Sequence, residues 1–152
     1  MKIEELNDRE FFAWLAGFFD GEGHITIYVC QWHRPYGFYE MNIGFSQSRR
    51  ESLDAIQKRL GFGHVNAYKT GFGKVAHHLT IYSIKRSKAI LTKMAPYLQV
   101  KQREAELALN FPTPRPIPKK DGKGRFVGRL PDLETKKRQE AMRQELRRLN
   151  AN

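Results

Sequence analysis

The chain has 152 residues, with 27 Lys and Arg against 16 Asp and Glu, a formal net charge of +11 and a single cysteine, Cys30. That length supports one domain with a real core, one cysteine excludes an intrachain disulfide or a cysteine-rich zinc cluster, and no apolar run approaches the ~20 residues of a membrane span. The excess of positive charge generates a long-range field that attracts polyanions, nucleic acid foremost.

The opening MKIEELNDREFF lacks the basic-then-apolar order of a signal peptide, so the expected location is intracellular, in a prokaryotic cytoplasm or an organelle. Asn7 or Asp8 caps a first helix through Phe11, Phe12, Trp14, Leu15, Phe18 and Phe19, apolar around most of its circumference and stopped by Gly21 and Gly23. Two strands are predicted next. In His24 to Trp32, Ile25, Ile27 and Val29 alternate with Thr26, Tyr28, Cys30 and Trp32. In Phe38 to Gln47, Tyr39, Met41, Ile43 and Phe45 alternate with Phe38, Glu40, Asn42, Gly44 and Ser46. A Pro35-Tyr36-Gly37 turn between them makes a hairpin with one buried face.

Ser48-Arg49-Arg50-Glu51 has capping-box spacing and opens a helix carrying Leu53, Ile56 and Leu60, closed by Gly61. A second hairpin follows, His64 to Lys69 and Val75 to Ile84 about a Gly71-Phe72-Gly73 turn, with Leu79 and Ile81 inward and His78, Thr80 and Tyr82 outward. Ser87 caps a third helix that Pro96 breaks, and a fourth runs from about Leu98 to Asn110. Residues 111–131 hold five of the seven prolines and read as an extended Pro/Gly/basic connector. It leads to a basic helix from Asp132 to Leu149, in the terminal segment 132–152, with a thin stripe of Leu133, Met142, Leu146 and Leu149. The element order gives an α+β class, one four-stranded antiparallel sheet with helices on one face.

The most informative stretch is Leu15-Ala16-Gly17-Phe18-Phe19-Asp20-Gly21-Glu22-Gly23. Gly17, beside Ala16, leaves a notch on a bulky helix. Beyond it, Asp20 and Glu22 place two carboxylates at the helix C-terminus, against the dipole, at roughly 0.3–1 kcal/mol each. A hard divalent cation on oxygen donors would relieve that conflict. None of His24, His33, His64, His77 and His78 shows helical ligand pairing, and adjacent His77 and His78 point opposite ways on a strand, so a metalloenzyme of another kind is not expected.

LAGFFDGEG resembles the signature of the LAGLIDADG homing endonucleases, and the surrounding order resembles that family's αββαββα core over residues 1–110, with its saddle-shaped sheet. The resemblance implies a Mg²⁺-dependent DNA endonuclease that makes a double-strand break in a long, near-palindromic site, with no membrane association. It implies Glu22 as metal-binding acid with the Gly21 carbonyl beside it, and Asp20 in structural hydrogen bonds. It also implies Gln47 placing active-site water, Lys101 as active-site lysine, and either Arg49 or Arg50 completing the pocket, Arg50 preferred. Glu22 stands where many members carry Asp, one methylene shorter.

One motif supplies one acid, so cutting two strands requires a homodimer paired through Trp14, Leu15, Ala16, Gly17 and Phe18. A strand of eight residues spans about 27 Å, the length of about eight base pairs. Thr26, Tyr28, Cys30, Trp32, Phe38, Glu40, Asn42, Asn66, Tyr68, His78, Thr80 and Tyr82 are the expected DNA-facing side chains, reading the major groove of double-stranded DNA. An RNA maturase or a non-catalytic DNA-binding protein on the same fold are the alternatives, and Glu22 argues against both because binding alone does not need that acid.

Overall fold

A computed structural model of the chain describes residues 2–30, 38–113, 117–130 and 132–151. It comprises two compact units, residues 1–26 with 41–109 and residues 27–40 with 110–152.

In the first unit, α1 (Asp8–Glu22) opens with a reciprocal cap: Asn7 Oδ1 accepts from the Glu10 amide at 3.0 Å and Glu10 Oε2 from the Asn7 amide at 2.9 Å. Such a cap satisfies two otherwise orphaned donors. Phe11, Leu15, Ala16 and Phe19 are buried. The helix does not stop at Gly21; it runs through Glu22, and β1 (Gly23–Cys30) starts at the next residue. Gly23 makes this junction possible. A Cβ there would collide with the Phe19 ring and come within 2.6 Å of the Phe19 carbonyl.

The second strand, β2 (Phe38–Gln47), is followed by α2 (Arg50–Leu60), β3 (His64–Lys69) and β4 (Val75–Ile81). These strands form one sheet in the order β1-β2-β4-β3, with Phe45 opposite Leu79 and Leu79 opposite Val65. The inward side chains Met41, Ile43, Phe45, Leu79 and Ile81 are fully buried together with Leu53 and Ile56 of α2. At roughly 1.5–3 kcal/mol per large apolar side chain, this layer holds the sheet to its helices.

Four expected boundaries differ. Ser48 does not cap α2: its hydroxyl donates to Gln47 Oε1 at 3.3 Å and Arg49 takes the cap position without a side-chain bond. Ser83, at φ 93°, rather than Ser87, caps α3 (Ile84–Met94) by accepting from the Arg86 amide. Ser87 lies one turn inside that helix, fully buried, and donates to the Ile81 carbonyl at 3.1 Å. The earlier start of α3 ends β4 at Ile81, which leaves Tyr82 outside the strand and 52% exposed. The fourth helix, α4 (Gln102–Leu109), begins later than expected because Asp20 has taken the amides of residues 99–101.

The second unit holds the largest departure. The segment expected to be an extended connector contains a hairpin, β5 (Ile117–Lys120) and β6 (Phe126–Leu130). Asp121 builds its turn, Oδ1 accepting from the Lys123 and Arg125 amides at 2.9 Å each while Oδ2 pairs with Arg125 Nε at 2.9 Å. The basic helix is present as α5 (Leu133–Asn150), starting one residue later than expected because Asp132 serves as its cap. Its inward line differs: Leu133 is 64% exposed, and fully buried Gln139 donates instead to the Pro112 carbonyl at 2.7 Å, with Leu146 buried further along. Tyr39 donates its hydroxyl to Glu140, which also pairs with Arg143. Trp32 and the Pro35-Tyr36-Gly37 turn lie outside the described residues, as do the side chains of Cys30 and Phe38.

Candidate active site and nucleic-acid interface

The end of α1 is held by a reciprocal clamp. The Asp20 carboxylate accepts from three successive amides, Gln99 at 2.8 Å, Val100 at 3.1 Å and Lys101 at 2.9 Å. Lys101 returns the contact: its ammonium donates to the Phe19 carbonyl at 3.0 Å and the Asp20 carbonyl at 2.6 Å. A cation on the last carbonyls of a helix is the favourable arrangement for the dipole. The conflict that the sequence posed at this helix end is therefore met by Lys101, and Asp20 makes the structural hydrogen bonds expected of it.

Glu22 and Gly21 remain exposed in the last turn of α1, and Glu22 makes no hydrogen bond or ion pair among the described residues. A free carboxylate beside a backbone carbonyl is an oxygen donor set suited to a hard divalent cation. Lys101, 79 positions later in the chain than Glu22, is held at the same helix end through the Phe19 and Asp20 carbonyls. Gln47 ends β2, at the end of the β1-β2 pair where Gly23 begins β1, and its Oε1 accepts from the Ser48 amide at 2.9 Å. Arg50 is exposed and its Nε is held by Asp54 at 3.1 Å. Arg49 is exposed at the cap of α2.

The sheet face opposite the core carries Thr26 from β1, Asn42, Gly44 and Ser46 from β2, His78 and Thr80 from β4 and Asn66 and Tyr68 from β3. Thr80 is buried at 9% exposure, and Tyr82 has left the sheet, so neither sits as an open strand contact. Glu40 has its carboxyl pushed above the ordinary range by burial. His24, not expected among these residues, lies on the same face and its Nε2 is 2.8 Å from His78 Nε2. Burial, then His78, then Lys101 lower the His24 imidazole to about 4, and burial lowers His78 as well. Alternation did place His24 on the outward face with Thr26 and Tyr28; nothing local marks its partner, 54 residues away.

Of the expected pairing residues on α1, Leu15 and Ala16 are fully buried within their own chain and cannot reach a partner surface. Gly17 is exposed, as is Gly21 one turn on, and the space where a side chain would stand on either is open. Half-buried Trp14 and Phe18 flank them, stacked at 5.3 Å, with Phe18 stacked in turn on Phe45 at 5.9 Å.

Together these features define an α+β protein of αββαββα order that carries its motif at a loopless helix-to-strand junction. Residues 15–111 match the family described as LAGLIDADG endonuclease, and the chain belongs to that family. It is 30% identical over 109 residues to DNA endonuclease I-CreI of Chlamydomonas reinhardtii, covering 68% of this chain and 63% of that one. Against DNA endonuclease I-CvuI of Chlorella vulgaris it is 30% identical over 115 residues, 73% of this chain and 69% of the relative. The chain thus spans about two thirds of the length of these curated relatives. A crystal structure of I-CvuI with its target in the presence of 2 mM Ca matches with a TM-score of 0.58, at 29% identity over 68% of this chain and 66% of that one. Another, with the I-CreI target, was obtained in 2 mM Mg with the DNA not cleaved. The archaeal intron-encoded homing endonuclease I-Vdi141I, complexed with DNA, shares the fold at a TM-score of 0.63 and 20% identity, over 91% of this chain and 82% of that one.

Proposed function

We propose that the chain is a site-specific homing endonuclease. As a homodimer it binds a long, near-palindromic duplex and makes a double-strand break by Mg²⁺-dependent hydrolysis of one phosphodiester in each strand. The observation that supports this reading is Glu22, exposed and unpartnered among the described residues, at a helix end where Lys101 is already fixed in place. A protein that only bound nucleic acid would not need a free acid where it repels both the helix dipole and a phosphate. The named relatives are DNA endonucleases, which is the activity this arrangement suits.

Glu22 and the Gly21 carbonyl would hold the cation, which on binding favours ionised water and offsets charge on the phosphodiester. Lys101, together with Arg49 or Arg50, adds positive charge where the phosphodiester becomes more negative. Gln47 orients water with its amide. In the dimer, Gly17 and Gly21 let two α1 helices approach closely, each protomer presenting its own Glu22. The outward face of the sheet, Thr26, Asn42, Asn66, Tyr68 and His78 included, seats the major groove. Basic residues 111–152 add phosphate contacts.

The test is Glu22→Gln. With Mg²⁺ the variant leaves a cognate duplex uncut, while its affinity for that duplex in Ca²⁺ stays within about threefold of the parent, less than 1 kcal/mol. Cleavage that survives this substitution would remove the reading.

A further inference from the structure

The reading above has no role for His24 and uses His78 only as one of the outward side chains of the sheet, yet the sheet is arranged to bring the two together. His24 lies on β1 and His78 on β4, with β2 between them, so their strands are about 10 Å apart. Both rings lean over the middle strand and meet above Gly44, with centroids 4.4 Å apart and planes at 67°. A Cβ on Gly44 would collide with Nε2 of His24 and lie within 2.9 Å of Nε2 of His78. Any other residue at 44 would drive the rings apart. On its far side, His78 Nδ1 is 3.4 Å from Ser46 Oγ, a hydroxyl able to accept from a proton on Nδ1 when Nε2 is given to an ion.

We propose that His24 and His78 form a two-nitrogen site for a borderline divalent transition ion, Zn²⁺ in the first instance, separate from the oxygen donors at Gly21 and Glu22. Zn–N bonds of about 2.0–2.1 Å place two ligands of one tetrahedral ion about 3.4 Å apart. The nitrogens stand at 2.8 Å, so opening the pair by about half an ångström, through side-chain torsions, admits the ion. The 2.8 Å contact between two neutral rings is an N–H···N bond, so one ring carries its proton on Nε2; as the ion takes the place of that bond, this proton moves to Nδ1 of the same ring by exchange with water, and no net proton is released. The remaining coordination positions go to water. Imidazole selects Zn²⁺, Cu²⁺ or Ni²⁺, while carboxylate and carbonyl select Mg²⁺ or Ca²⁺, so the two places sort ions by ligand chemistry. An ion here adds two charges to the face assigned to DNA.

The experiment uses the full chain, stripped of metal and without nucleic acid, titrated with Zn²⁺ by calorimetry and with Co²⁺ by visible absorption. The expected result is one ion per chain at micromolar affinity, insensitive to millimolar Mg²⁺. His78→Asn weakens it by at least about tenfold, and Gly44→Ala does likewise while leaving both imidazoles in the sequence. Glu22→Gln leaves it unchanged. Circular dichroism establishes that each variant is folded, and Ser46→Ala, expected to weaken binding by a smaller factor, serves should His78→Asn not fold. Absence of Zn²⁺ binding below about 100 µM, binding unaffected by Gly44→Ala, or binding lost in Glu22→Gln would each overturn the proposal. None of these readings uses cleavage, so failure of the nuclease assignment registers separately, in the Glu22→Gln cutting assay.

Discussion

Asp20 and Lys101 each satisfy the other's backbone, so neither can be replaced without exposing polar groups at the helix end. Asp20→Asn keeps the shape but loses the charge, and turns an amide donor toward the N–H groups of residues 99–101. A loss of about 2 kcal/mol in urea unfolding is expected, from hydrogen bonds to a charged acceptor worth about 1.5–3 kcal/mol. An undisturbed midpoint would mean that α4 does not depend on the clamp. The hydrogen-bonding role of Asp20 was legible through the motif's resemblance, because the acid lies within the nine-residue stretch itself. Lys101 was legible only through resemblance, since its partners are 81 and 82 positions away and nothing local separates it from other lysines. His24 gives a second prediction at this scale. Its imidazole takes a proton near pH 6.5 when unfolded and only near about 4 when folded, so the unfolded chain binds more protons between those values. Stability is therefore full above pH 6.5 and falls as pH drops toward 4, by at most about 3 kcal/mol. In His24→Gln that part of the pH profile should flatten, as read by thermal unfolding across the range.

Among the elements, α1 and the β1-β2 strands could be read from sequence because their apolar residues recur at helical or alternate spacing and are buried, whereas β3 and β4, exposed or half-buried along most of their length, were marked mainly by the glycine turn between them. The starts of α2 and α3 could not. Ser48 and Ser87 have the right chemistry for caps, but Gln47 captures the first and the Ile81 carbonyl the second, and both captures depend on where β2 and β4 end. The β5-β6 hairpin was hidden for a different reason: the glycines that signal a loose connector also supply its tight turn, with Gly124 at φ 76° and Asp121 closing the loop. The junction between α1 and β1 is where an element boundary is least tolerant. Gly23→Ala sets a methyl against the Phe19 ring and carbonyl, and the carbonyl is also the acceptor for the Gly23 amide at the helix end. Neither can retreat without moving the core, so a loss of about 1–3 kcal/mol is expected, together with reduced cutting, because Glu22 is the preceding residue. A variant as stable as the parent would show that the junction relaxes.

At the scale of the whole molecule, charge is distributed unevenly along the chain. Residues 111–152 hold twelve Lys and Arg against five Asp and Glu, so +7 of the +11 lies almost entirely beyond the residues that match the family. Two of the six Lys and Arg on α5 are paired within the helix, Arg143 with Glu140 and Arg148 with Glu145. The hairpin differs. Lys119, Lys120 and Lys123 are exposed and their side chains make no ion pair among the described residues, with Phe126 exposed at 63% beside them. Free cations of this kind release counterions when they meet phosphate, which makes affinity fall with salt by a slope of roughly 0.9 per contact. Changing all three to Gln should flatten the plot of log affinity against log salt by roughly 2 to 3 per chain and weaken binding most at low salt. Cognate and unrelated duplexes should lose affinity about equally, since phosphate contacts carry no base identity. The cleavage rate of bound DNA should be unchanged, because none of the three lysines is assigned a part in the proposed cleavage site. A slope equal to that of the parent would show that the hairpin does not touch DNA; a loss confined to the cognate duplex would mean that it reads bases instead.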